Sequence, residues 1–133
     1  MENNSFTPKE KTTLGMDQNI EALLCYVGTW ITGIVFFVLE TENRFVRFHA
    51  LQSLIAFGLI SVIFIATSIL TSIFTFFLPF SLPILILITI INVVLGGLSF
   101  VLWVLLMVKA YQGSWFKLPV IGDIVEKRIN SQM

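Results

Sequence analysis

Apolar residues in this chain come in three long blocks with little alternation inside them. The first runs from about Ile20 to Leu39, bounded by Glu21 near one end and Glu40 at the other, and the second from Ala50 to about Phe77. The third runs from about Ile84 to Tyr111. No charged residue occurs between Ala50 and Val108, a stretch of 59 positions. Strands alternate with period two and amphipathic helices with period 3.6, whereas a block apolar on every side marks a helix surrounded by hydrocarbon. A hydrocarbon core of ~30 Å takes ~20 helical residues to cross, so the pattern predicts three transmembrane helices, at 20–39, 50–77 and 84–111. The second, at 28 residues, would reach about 42 Å and must tilt or extend into the headgroup layer. Pro79-Phe80-Ser81-Leu82-Pro83 separates the second block from the third, since proline lacks the amide hydrogen and disfavours helix at the residue before it.

Outside the blocks the chain is polar. Residues 1–13 show no apolar period and read as a flexible leader; 14–113 form the three-span bundle and 114–133 an interfacial tail. In that tail Trp115, Phe116 and Lys117 have the character of an interface anchor. After Pro119, helical spacing gathers Val120, Ile121, Ile124 and Val125 opposite Asp123, Glu126 and Lys127, which predicts a short amphipathic helix on the membrane surface. The fold class expected is an all-α membrane protein: a compact bundle of three transmembrane helices with a short C-terminal amphipathic interfacial helix.

Composition agrees with this. Apolar residues make up 56% of the 133 and mean hydropathy is +0.92; charged residues are 12%, against ~25% in soluble domains. A soluble enzyme, a nucleic-acid binder and a disordered chain are excluded. Eight basic and eight acidic residues cancel, so no net field attracts nucleic acid. One cysteine, Cys25, and one histidine, His49, give neither an internal disulfide nor a metal cluster. No acid pair in the core, Ser–His–Asp set or glycine-rich phosphate loop is present, so the chain is read as no enzyme, with no cofactor. With three crossings, Arg44, Arg47, Lys109, Lys117, Lys127 and Arg128 share one side and Lys9 and Lys11 the other. The positive-inside rule then gives N-out and C-in.

Small and polar residues carry helix association in lipid. On the first span Ala22, Cys25, Thr29, Thr32 and Gly33 share a face; on the second Ser61, Ser68, Ser72 and Thr75; on the third Thr89, Asn92, Gly96, Ser99 and Trp103. Asn92 needs hydrogen-bond partners that lipid cannot supply, either as a helix-packing amide or as the lining of a path. In the connection Glu40–Phe48, Glu40 is four residues from Arg44 and Glu42 is within reach of Arg44 or Arg47, which suggests interfacial ion pairs and phosphate contacts. His49 and Gln52 enter the second span beside that patch, His49 as a headgroup contact. Candidate interface or partner residues are therefore Arg44, Arg47, His49, Gln52, Lys109, Trp115 and Lys117. Candidate intramembrane packing or path residues are Asn92, Ser68, Ser72, Thr75 and Thr29.

Three motifs stand in order: LGMDQNIEALLCYVGTWITGIVFFVLE, ENRFVRFHALQSL and WVLLMVKAYQGSWFKLPVIGDIVEK. Over residues 14–128 they resemble a prokaryotic family of small membrane proteins similar to the central membrane subunit of the chloroplast inner-envelope protein translocon, the Tic complex. The family-like positions are Asn43, Arg44, Phe45, Arg47, Phe48, His49 and Gln52, then Lys109, Ala110, Tyr111, Gly113, Pro119, Gly122 and Asp123. The resemblance implies a Tic-like module in a prokaryotic cell membrane. It would conduct protein, ions or solutes, or assist translocation, as a homo-oligomer or with a membrane-protein partner. The alternative is a non-conducting structural protein that organises anionic lipid headgroups.

Overall fold

The computed structural model describes residues 10–77 and 82–132. Residues 1–9 of the expected leader and Pro79 to Ser81 of the expected turn lie outside them. The described chain is helical: α1 Gln18–Val27, α2 Trp30–Leu39, α3 Arg44–Phe77, α4 Leu82–Tyr111 and α5 Ile121–Gln132. Of these, α3 and α4 are long and apolar enough to cross a membrane.

The first expected span is two helices instead of one. Thr29 has φ +58° between α1 and α2, a left-handed conformation that a β-branched residue rarely adopts and that ends a helix. The Thr32 hydroxyl stabilises the break, accepting from the Gly28 amide at 3.1 Å and donating to the Cys25 carbonyl at 3.0 Å. Each ten-residue helix is about 15 Å long, half the thickness of a bilayer core. An apolar block of twenty residues looks the same whether one helix or two fill it, so composition could not reveal the break.

The chain divides into two compact units. The first comprises residues up to Gly58 and from Trp103 onward; the second is 59–102. Within the second unit, 59–77 of α3 and 82–102 of α4 are about 28 Å and 31 Å long, which matches the hydrocarbon thickness. Their aliphatic side chains are largely exposed, as with Val62, Ile65, Ile86, Val93 and Leu98. Their hydroxyls bond backward to carbonyls of their own helix, Ser68 to Phe64, Ser72 to Ser68, Thr75 to Thr71 and Ser99 to Leu95. Such back-bonding satisfies a hydroxyl in lipid without any partner helix. Asn92 joins α4 to α3: its Oδ1 accepts from the Thr67 hydroxyl at 2.9 Å, and its Nδ2 donates to Ile88 O.

The core lies in the first unit. Helix α3 begins at Arg44, six residues before the apolar block, because Asn43 caps it: Asn43 Oδ1 accepts from the amides of Phe45 and Val46 at 3.0 and 3.2 Å. Cys25, Val46 and Ala50 form one apolar cluster. Gly33 lets α2 approach α3 closely, since a Cβ there would lie 2.8 Å from Ala50 O and 3.0 Å from Leu54 N. The Cys25, Thr29, Gly33 ladder thus runs along α3 even though its helix is broken.

The second cluster joins Phe48 and Leu51 of α3 to Val125 and Ile129 of α5. Here the expected face of the last helix is corrected. Val120 has φ +65° and precedes the helix, so the buried side is Gly122, Val125 and Ile129, while Val120 and Ile124 are 71% and 52% exposed. The helix packs on protein through one side and exposes Ile124 on another.

Candidate functional site

The polar interior of the first unit is built on two hubs. The first is the Glu40 carboxylate, fully buried between α2 and α3. It accepts from the Thr13 amide at 2.7 Å, the Thr13 hydroxyl, the Glu42 amide at 2.9 Å and the Asn43 amide at 2.8 Å. It therefore ties the segment before α1 to the start of α3. Burial raises its pKa, but hydrogen bonds from Asn43, Thr13 and Glu42 outweigh that and hold the carboxyl below its ordinary value. Asn43 Nδ2 in turn donates to Gln18 Oε1 at 3.1 Å.

The second hub is Gln52, also buried. Its Nε2 donates to the Tyr26 hydroxyl and to Phe116 O, both at 3.1 Å, and its Oε1 accepts from the Leu118 amide at 3.2 Å. The Tyr26 hydroxyl is 2.9 Å from His49 Nδ1, and His49 Nε2 is 3.1 Å from Ser114 O. A carbonyl only accepts, so Nε2 carries the hydrogen and Nδ1 accepts from Tyr26, which fixes the imidazole as one neutral tautomer. Trp103 Nε1 adds a bond to Tyr26 O at 2.6 Å, and Ser53 Oγ one to Thr29 O at 2.7 Å. Glycine in the left-handed conformation at Gly113, φ +73°, turns the chain out of α4 so that 114–118 can reach these groups.

Several sequence expectations shift. His49 is completely buried and contacts protein, not headgroups. Glu40 serves backbone and Thr13 donors where a side-chain pair with Arg44 was expected. Arg44 bonds to Asn130. Arg47 donates to Glu40 O at 3.2 Å and Gln132 Oε1 at 2.8 Å, with its guanidinium 4.7 Å from the Phe37 ring centroid. Trp115 packs against Phe45 and Phe48, at 5.2 and 5.4 Å between centroids. Lys117 pairs with Glu126, and Lys109 approaches the Phe116 ring at 6.0 Å. Sequence reasoning missed the hub role of Glu40, the Asn43 cap, Tyr26 and Glu21. An asparagine just ahead of a helical stretch is a cap signal, and would have revealed Asn43.

Two surface cavities flank α5. One, about 450 Å³, is lined by Glu10, Glu42, Arg44, Phe45, Trp115 and Glu126 among others. The other, about 490 Å³, combines Leu51, Ile55 and Ile124 with Lys127, Arg128 and Ser131: an apolar trough beside two cations.

This is an all-helical membrane protein, with two helices able to cross the bilayer and a hydrogen-bonded polar core in its other unit. The chain belongs to the family described as the magnetosome magnetite crystal formation protein family, MamF/MmsF, whose sequence profile matches residues 11–125. It is similar to two UPF0132 membrane proteins of Methanocaldococcus jannaschii, at 46% identity over 88% of this chain and 93% of the relative, and 40% over 86% and 71%. A UPF0132 membrane protein of Archaeoglobus fulgidus is 38% identical over 86% of this chain and 97% of its own length. No solved structure matches. These relationships correct the expected tie to the chloroplast translocon: the profile and the archaeal relatives lead to MamF/MmsF and UPF0132, and none leads to the Tic subunit.

Proposed function

We propose that the chain is a non-conducting, non-enzymatic membrane protein that holds and organises anionic lipid. The family's description speaks of magnetite crystal formation and the relatives' names of membrane residence; this chain's own side chains support the second. The observation that carries the lipid reading is the trough of Leu51, Ile55 and Ile124 beside Lys127 and Arg128. Apolar wall and paired cations suit an acyl chain and a phosphate respectively. Back-bonded hydroxyls on α3 and α4 support the absence of a polar path, because they need no water or substrate to satisfy them.

With two crossings both termini share a side. All eight Lys and Arg residues then lie on it, and none between Ala50 and Val108. The positive-inside rule favours N-in and C-in, in place of the N-out expected for three spans. Assembly with a second copy through the exposed aliphatic faces belongs to the same reading.

The test is lipid retention by the purified protein in mixed vesicles. Lys127→Gln with Arg128→Gln should reduce anionic-lipid enrichment by roughly thirtyfold, at ~1 kcal/mol for each of the two basic residues, without changing neutral-lipid binding. Unchanged enrichment, or ion flux through the reconstituted protein, overturns the reading. Cysteines introduced at residues 5 and 130 should both be labelled only from the cytoplasmic side.

A further inference from the structure

Glu21, on the first turn of α1, is 0% exposed, and among the described residues neither of its carboxyl oxygens has a hydrogen-bond partner. A bare buried carboxylate is among the costliest groups a protein holds, so something must neutralise it. Its surroundings are acidic. Glu40 faces it from the α2–α3 connection and Cys25 from its own helix. Thr12 lies beside it from the preceding segment, but the Thr12 hydroxyl is engaged by the backbone of Met16, donating to its carbonyl and accepting from its amide. Arg47, from α3, reaches the Glu40 backbone carbonyl and so leaves both carboxyl groups without an ion pair from it.

A metal ion fits poorly. Glu40 already accepts four hydrogen bonds, and among the described residues no group of three His, Cys, Asp or Glu side chains could hold a metal. The smallest cation, a proton, fits without a coordination shell.

We propose that Glu21 is an internal proton-binding site, a neutral carboxylic acid beside the ionised Glu40 carboxylate, whose ionisation releases the Thr12–Thr13 segment. The step is a simple acid dissociation: the Glu21 O–H bond breaks, the proton passes to water, and the pair goes from one negative charge to two. Glu40 anchors the segment through both the amide and the hydroxyl of Thr13, so a second charge beneath it opens this cover and admits water. Burial, assisted by Glu40 and opposed by Thr12, raises the pKa of Glu21 and keeps the acid form at pH values where exposed carboxyls are ionised.

The experiment follows the full chain in lipid vesicles by infrared spectroscopy while pH is raised from mildly acid to alkaline, with trypsin cleavage after Lys11 as the second readout. A protonated-carboxyl band that persists above the pH at which exposed carboxyls ionise should vanish as pH is raised further and be absent in Glu21→Gln. Cleavage after Lys11 should accelerate roughly tenfold over the same range relative to Glu21→Gln, in which the segment stays docked at every pH. The wild-type titration stands even where the variant fails to fold. Loss of the acid band together with that of the exposed carboxyls overturns the proposal. So does a band that appears only after a chelator is added, which would mean a bound metal ion. Cleavage that ignores the band's disappearance overturns the coupling to the segment.

Discussion

Tyr26 and His49, on α1 and α3, share a 2.9 Å hydrogen bond inside a network in which every participating polar atom has a defined role. The tyrosine hydroxyl donates to Nδ1 and accepts from Gln52, so its removal strands an acceptor and a donor together. Tyr26→Phe should therefore destabilise the protein by about 2–6 kcal/mol, since each of the two orphaned buried groups costs about 1–3 kcal/mol. Thermal unfolding in detergent measures this. Gln52→Leu should cost a comparable amount, because it strands Phe116 O and the Leu118 amide.

The close approach at Gly33 gives a paired prediction. A Cβ there meets backbone atoms, Ala50 O at 2.8 Å and Leu54 N at 3.0 Å, which move only if the helices separate. Gly33→Ala should lose about 1–3 kcal/mol. Gly58, also helical, has nothing within 4 Å of an added Cβ. Gly58→Ala should be neutral or gain up to about 1 kcal/mol. The unfolding midpoint should fall for Gly33→Ala and hold or rise for Gly58→Ala.

Asn92 supplies the third. Its amide is shared between Thr67 and Ile88 O, so Asn92→Leu should leave the chain folded and lower its stability by about 0.6–2 kcal/mol, the range for interhelical bonds in membranes. Vesicle flux should stay at background for wild type and variant alike. A change in flux would mean that Asn92 lines a path.

The second and third apolar blocks were legible because nothing interrupts them: no charge between Ala50 and Val108, and prolines at 79 and 83. The first block was misleading for a local reason. Its break depends on the Thr32 hydroxyl reaching back to Gly28 and Cys25, which hydropathy does not register. Arg44, Arg47, His49 and Gln52 were recognisable as a set, but their surroundings were not. The contacts that bury His49 and Gln52 come from residues 114–118, more than sixty positions away. Glu40 looked like a surface charge because its partners are mostly backbone amides, which carry no sequence signature.

The two buried carboxyls make opposite contributions to stability as pH changes. Glu40 has a folded pKa below its ordinary value of 4.5; its stabilisation is present above the unfolded value and is lost as pH falls through the folded one. Glu21 has a folded pKa above 4.5, so the native state keeps a proton that the unfolded chain releases. Its contribution is present below 4.5 and is lost as pH rises through the raised value. Thr13→Val removes the hydroxyl donor to Glu40, and should shift acid unfolding to higher pH. Glu21→Gln should leave acid unfolding in place, raise stability at neutral pH and flatten its dependence above pH 4.5. Denaturation midpoints of wild type and both variants between acid and neutral pH separate the two effects. A Glu21→Gln profile parallel to wild type above that value would mean that Glu21 ionises normally in the native state.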